Sequence, residues 1–218
     1  MPPCVSAGCW CAGRGCPLIG VRVHGGVGGG GRVEVWGLLV FPEAVWDVLG
    51  DGLVDGRVKG RVWRFAEALE GVPGVTVLAF YVDLRGGRVH VLVDEELAPG
   101  SHRVRLLELL DTGAREAGAM AAEGRLYISD GDLASDPTAS REARVKVERY
   151  ARAAYALRET ALAFYAGPKG GRVDVLLDVP SRRGLKHKIT LASLDGLLAR
   201  TQTQAGRPRG RRGGRGAR

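Results

Sequence analysis

Residues 76–94 and 160–178 of this 218-residue chain are the same segment written twice, 84 positions apart and without a gap. The first copy reads TVLAFYVDLRGGRVHVLVD and the second TALAFYAGPKGGRVDVLLD, with 12 of 19 positions identical. Repeated supersecondary units dictate architecture, because each buries an apolar face that it cannot cover alone. Two copies are too few for a solenoid, so the repeat predicts a pseudo-twofold pair around one core. Gly86-Gly87 and Gly170-Gly171 supply the positive φ of a tight turn, and each copy therefore reads as a hairpin. In the return strands Val89, Val91 and Val93 lie opposite in phase to Arg88, His90 and Asp94. Val173, Val175 and Leu177 stand in the same way to Arg172, Asp174 and Asp178. That alternation predicts one buried face and one wet face, with both valine sets buried together.

Around the hairpins, residues 33–41 read as one strand buried on both faces and residues 42–49 as a short helix. Val58, Val62, Phe65 and Leu69 carry the stripe of a second helix. Val104, Leu107, Leu110, Ala114 and Ala117 suggest a third, ending before Gly124. A short strand at 125–129 and a polar loop at 130–136 follow, with Asp136-Pro137 as the start of the next helix. That helix has a seam at Ala143, Val147, Tyr150, Ala154 and Leu157. The seam runs on through Ala161 and Phe164, whereas the repeat aligns 160–165 with a strand; the second Gly-Gly turn favours the strand. A strand at 186–191 and a helix at 193–200 complete the reading. The expected fold is α+β: two related hairpin-plus-helix units, at about 61–118 and 141–200, around an antiparallel sheet. Residues 33–201 form the domain, and 1–32 and 202–218 are expected to be disordered.

The net charge of +8 is unevenly placed. Removing the +3 of residues 1–32 and the +6 of residues 207–218 leaves −1 for residues 33–206. The basic pole is Arg207, Arg209, Arg211, Arg212, Arg215 and Arg218, set among glycines with no apolar residue larger than Ala or Pro. Such a segment cannot fold alone. It resembles RGG-type segments, which bind phosphate backbones by releasing counterions. The aromatic pairs Phe80-Tyr81 and Phe164-Tyr165 lie close to Arg88 and Arg172 on the repeated strands. Aromatics and arginines on a β-surface stack unpaired bases, although neighbouring residues point to opposite faces and core packing competes for them. The expected contacts are Tyr81, Tyr165, Arg88, Arg172 and the six arginines of the tail. The expected function is non-catalytic binding of single-stranded DNA or RNA with weak sequence specificity and no cofactor. The alternative is an oligomeric scaffold or accessory subunit, a homodimer or larger, joined through the Ala143–Leu157 seam.

Enzymatic constellations are missing from the sequence. It holds no phosphate loop, no dinucleotide fingerprint, no G-x-S-x-G elbow and no H-E-x-x-H. His90, His102 and His187 read as surface histidines, and Asp94 and Asp178 as partners for Arg88 and Arg172. Asp130, Asp132 and Asp136 have the spacing of a cation loop, but Ser135 and Arg141 stand where an EF-hand needs glycine and glutamate. Cys4, Cys9, Cys11 and Cys16 are spaced C-x4-C-x-C-x4-C, which matches no zinc knuckle. The glycine run at 25–31 suggests DNA like a ribosome-binding site, with Val33 as the start codon and residues 1–32 untranslated. No membrane span or signal peptide is visible, so the expected location is cytoplasmic. Asn is absent and Gln occurs only at 202 and 204, a depletion that points to a hyperthermophilic source.

Overall fold

The computed structural model describes residues 32–50, 52, 54–154, 157, 159–167, 170–181 and 186–205. β1 (Arg32–Trp36) and β2 (Leu38–Val40) are separated only by Gly37, yet they lie in different sheets. A single strand over 33–41 is therefore ruled out. The switch occurs at Gly37, with φ +141°, where an added Cβ would stand 2.8 Å from the backbone carbon of Val82. Only glycine fits there. A 3-10 turn, Pro42–Ala44, leads into α1 (Val45–Gly50), and α2 (Gly56–Leu69) begins at Asp55, whose carboxylate accepts from Arg57 N. The four strands β3 (Val75–Asp83), β4 (Arg88–Ala98), β5 (Ser101–Leu110) and β6 (Gly113–Glu123) then form a meander.

The chain changes sheet again at Gly124, with φ +115°, where a Cβ would lie 2.5 Å from the backbone carbon of Ala166. Val82 and Ala166 hold the same place in the two sequence copies. Beyond Gly124 come β7 (Arg125–Tyr127), α3 (Asp130–Ser135) and α4 (Arg141–Ala154). β8 (Thr160–Ala166), β9 (Val173–Pro180), β10 (Lys186–Ser193) and α5 (Leu194–Ala205) complete the series. One sheet has the order β2-β3-β4-β5-β6, the other β1-β10-β9-β8-β7, and every pairing is antiparallel. The fold is α+β with two antiparallel sheets rather than the single sheet expected, and β1, the first strand, joins the sheet of β7 to β10 instead of that of β2 to β6.

Both sequence copies form hairpins of matching register. Phe80 stands opposite Val91 and Phe164 opposite Val175, and each first strand bulges at the same point, between Val77 and Ala79 and between Ala161 and Ala163. Residues 160–165 are strand, as the second glycine turn requires.

Three apolar cores stack through the molecule. The middle one lies between the sheets and contains Leu78, Tyr81, Leu92, Val104, Leu106, Tyr165, Leu176 and Ile189. The outer two fill the spaces between each sheet and its helices. Val58, Val62 and Phe65 of α2 cover Val89, Val91 and Val93, while Ala143, Val147 and Tyr150 of α4 cover Val173, Val175 and Leu177. The two valine sets are thus buried apart, on opposite outer faces, and the supposed wet faces of β4 and β9 turn Leu92 and Leu176 into the central core. Of the polar residues expected on those faces, only Arg88 and Arg172 are exposed. Full burial of each such side chain stabilises by about 1.5–3 kcal/mol.

This layering explains the other departures from expectation. Residues 101–123 form β5 and β6, not a helix, because β5 is apolar on both faces: Val104 and Leu106 face the central core, Leu107 and Leu109 the outer one. A strand covered on both sides loses its period-two signal. Residues 130–135 are helical, closed by a capping box between Ser129 and Asp132, and Asp136 ends this helix instead of starting the next. Ser140 caps α4, its hydroxyl accepting from Ala143 N. The Ala143, Val147 and Tyr150 part of the α4 seam is buried against its own sheet, while Ala154 and Leu157 are partly exposed.

Candidate nucleic-acid interface

α2 buries Val58, Val62 and Phe65 and turns Arg57, Arg61 and Arg64 along one flank, because residues three and four apart share a face. That flank abuts the first hairpin turn. Arg61 Nη1 donates to the carbonyl of Gly87 over 2.9 Å, and its Nε bonds Asp111 over 2.8 Å. The bond from Arg61 holds the exposed Asp111 carboxyl below its ordinary range, with Arg57 and Arg64 adding to the effect. Arg85 and Arg88 belong to the same turn. Arg57, Arg64, Arg85 and Arg88 are exposed and make no ion pair among the described residues. The second half repeats the clamp, since Lys146 Nζ donates to the carbonyl of Gly171 and bonds Asp195. There, however, Glu142 stands where α2 has Arg57, and it pairs with Lys146 at 2.9 Å.

The tyrosines do not join this surface. Tyr81 and Tyr165 are fully buried in the central core, and Phe80 and Phe164 are buried in the outer ones. Each strand is roofed on both faces, so neither member of a pair is left for a base, and stacking by these residues is ruled out. Arg172 pairs with Asp174 at 2.9 Å and lies 3.9 Å from Glu123. The tail arginines 207, 209, 211, 212, 215 and 218 lie outside the described residues, as do the four cysteines.

Buried polar clusters occupy the central layer in place of base-stacking surfaces. Tyr165 donates to Asp94 Oδ1 over 2.8 Å, and Asp94 Oδ2 lies 2.8 Å from His102 Nδ1. In the other half Asp178 Oδ2 lies 2.8 Å from His187 Nδ1, and the Tyr81 and His187 rings are 5.3 Å apart. Asp94 and Asp178 therefore pair with histidines, not with Arg88 and Arg172, and His102 and His187 are core residues rather than surface ones. Burial drives the Tyr81 and Tyr165 hydroxyls upward, Asp178 and Asp94 adding to it respectively. Burial also raises the Asp178 carboxyl, against the pull of His187. Asp94 and His102 lie at the wall of a cavity of about 670 Å³ with Thr76, Glu96, Arg125 and Tyr127. Reading His102 and His187 as surface residues, and the aspartates as arginine partners, missed these pairs; the available signal was that His102 and His187, like Asp94 and Asp178, are separated by the repeat offset or nearly so.

The carboxylates of 130–136 have local duties. Asp132 closes the α3 cap, and Asp136 accepts from Thr138, Tyr127 and Arg125. Among the described residues, no cluster of three potential metal-binding side chains occurs and no helix is long and apolar enough to cross a membrane. No protein family, no curated protein and no solved structure matches the chain.

Proposed function

We propose that the protein binds single-stranded nucleic acid through its phosphates, without reading sequence. The observation that carries this reading is the segregation of charge: six arginines and no acid in residues 207–218, beside a body of net −1. Arg57, Arg64, Arg85 and Arg88 supply a secondary basic surface on the body. With the tyrosines buried, affinity rests on charge alone, so it falls steeply with salt. We also infer that the two halves descend from one duplicated unit, on the strength of the shared hairpin register, the paired glycine switches and the repeated Asp–His pairs.

The test is fluorescence anisotropy with a single-stranded oligonucleotide across a salt series. Deleting residues 206–218 is expected to remove most of the affinity at low salt. It should also lower the salt slope by about four, at roughly 0.7 per phosphate contact for single strands. Reversing Arg57, Arg64 and Arg88 to Glu in the full chain is expected to weaken binding further, evenly across sequences. Affinity unchanged by the deletion would overturn the reading.

A further inference from the structure

The flank of α2 opposite its arginines has the reverse chemistry. Trp63, 62% exposed, meets Trp46, 46% exposed, edge-on with ring centroids 5.6 Å apart. The two indoles border a groove of about 550 Å³ whose floor includes Leu69 and Val77 and whose rim carries Glu67 and Glu70. Glu67 and Glu70 are exposed and make no ion pair among the described residues, and the same holds for Asp47 beside Trp46. Large apolar side chains grouped on a surface mark a site that something covers. Here the cover must also answer unpaired carboxylates, so a purely apolar partner does not fit.

A guanidinium fits both demands. It stacks flat on an indole face and forks to a carboxylate, and it sheds water more easily than an ammonium. Within this chain one segment is made of such groups: residues 206–218, with six arginines spaced by small residues that leave each side chain accessible. Extended, those residues span at most about 45 Å. We propose that the groove between Trp46, Trp63, Glu67 and Glu70 is a docking site for the arginine-rich segment 206–218 of this protein. Docked arginines are unavailable to phosphates, so the groove and a nucleic acid compete for the same side chains.

The probe is the synthetic peptide GRPRGRRGGRGAR, titrated by calorimetry into a chain ending at Ala205, with no nucleic acid present. Saturable binding is expected, weakened at least tenfold by Trp63→Ala and by the Glu67→Lys, Glu70→Lys pair. A peptide with every Arg replaced by Lys is expected to bind more weakly than the original. In the full chain, acrylamide quenching of tryptophan is expected to be lower than in the truncated one, and Trp63→Ala to remove that difference. Trp63 is largely exposed, so its replacement spares the core, and an unchanged thermal midpoint verifies this. No binding, or equal binding by all variants, overturns the proposal. So does a dimer of the truncated chain that is broken by Trp63→Ala, since the groove would then be covered by a second copy. Because the titration omits nucleic acid, its failure leaves the phosphate-binding reading standing.

Discussion

The hydroxyl of Tyr165 on β8 crosses from one sheet to the other and donates to Asp94 on β4 over 2.8 Å. Its counterpart Tyr81 is equally buried, but its hydroxyl has no hydrogen-bond partner among the described residues. Tyr165→Phe removes a bond to a buried carboxylate and is expected to cost about 1–3 kcal/mol. Tyr81→Phe removes an unsatisfied polar group and is expected to be neutral or stabilising. Urea unfolding of the two variants checks the contrast, and equal losses would show that the two clusters are equivalent in solution.

Val91 and Val175 are fully buried beneath α2 and α4 respectively. Replacing either with Ala is expected to cost roughly 1–3 kcal/mol. Because the two sites belong to separate cores, the double variant is expected to lose the sum of the single losses. A coupling larger than about 0.5 kcal/mol in the double-mutant cycle would contradict the layered packing.

At Gly37 and Gly124 the chain combines a positive φ with backbone contact too close for a Cβ. Gly37→Ala and Gly124→Ala are each expected to cost at least about 2 kcal/mol, strain and clash together. Gly87 also has positive φ but nothing within 4 Å of an added Cβ. Gly87→Ala is expected to cost less, about 1 kcal/mol, from conformation alone. Thermal midpoints of the three variants test the order.

Acid should act through Asp136. Bonds from Thr138, and then from Tyr127 and Arg125, lower its carboxyl from 3.8 to about 2. A carboxyl depressed in the fold contributes stability that is present above its unfolded value and lost as pH falls through the folded one. The window is therefore from about pH 4 down to about pH 2. Asp136→Asn is expected to flatten the decline in urea midpoint across that window, while parallel curves for variant and parent would remove Asp136 from the account.

Much of the fold was legible in the residues, and the failures share a cause. The duplicated segment with its Gly-Gly turns gave both hairpins, and it decided correctly for a strand at 160–165 against a helical seam. What it could not give was the number of sheets, because Gly37 looks like any glycine inside an apolar run until Val82 is placed beside it. β5 was lost to a helical reading because Leu106 and Leu107 face two different cores. The buried Asp–His pairs were hidden because each joins two neighbouring strands, one of them misread as a helix in the first pair, and because of a one-residue slip, 84 for the acids and 85 for the histidines. The aromatic pairs failed for a simpler reason: a strand between two layers has no outer face. The Arg57, Arg61 and Arg64 flank was present in the helical periodicity, but its meeting with the first hairpin turn was not.

The pairing of β1 with β10 sets an order of assembly during synthesis. β1 is among the first described elements to leave the ribosome, yet its partner β10 begins at Lys186. β6 reaches its place beside β5 as soon as it is made, so the sheet of β2 to β6 can close while the second half is still being translated. Arg32–Trp36 has to wait for almost the whole of the remaining fold. Closing so long a loop is slow because its entropy is lost before the contacts form. Until then the β1 edge is open, and the charged side chains of Arg32 and Glu34 on its exposed face are the guard against pairing with a neighbouring nascent chain.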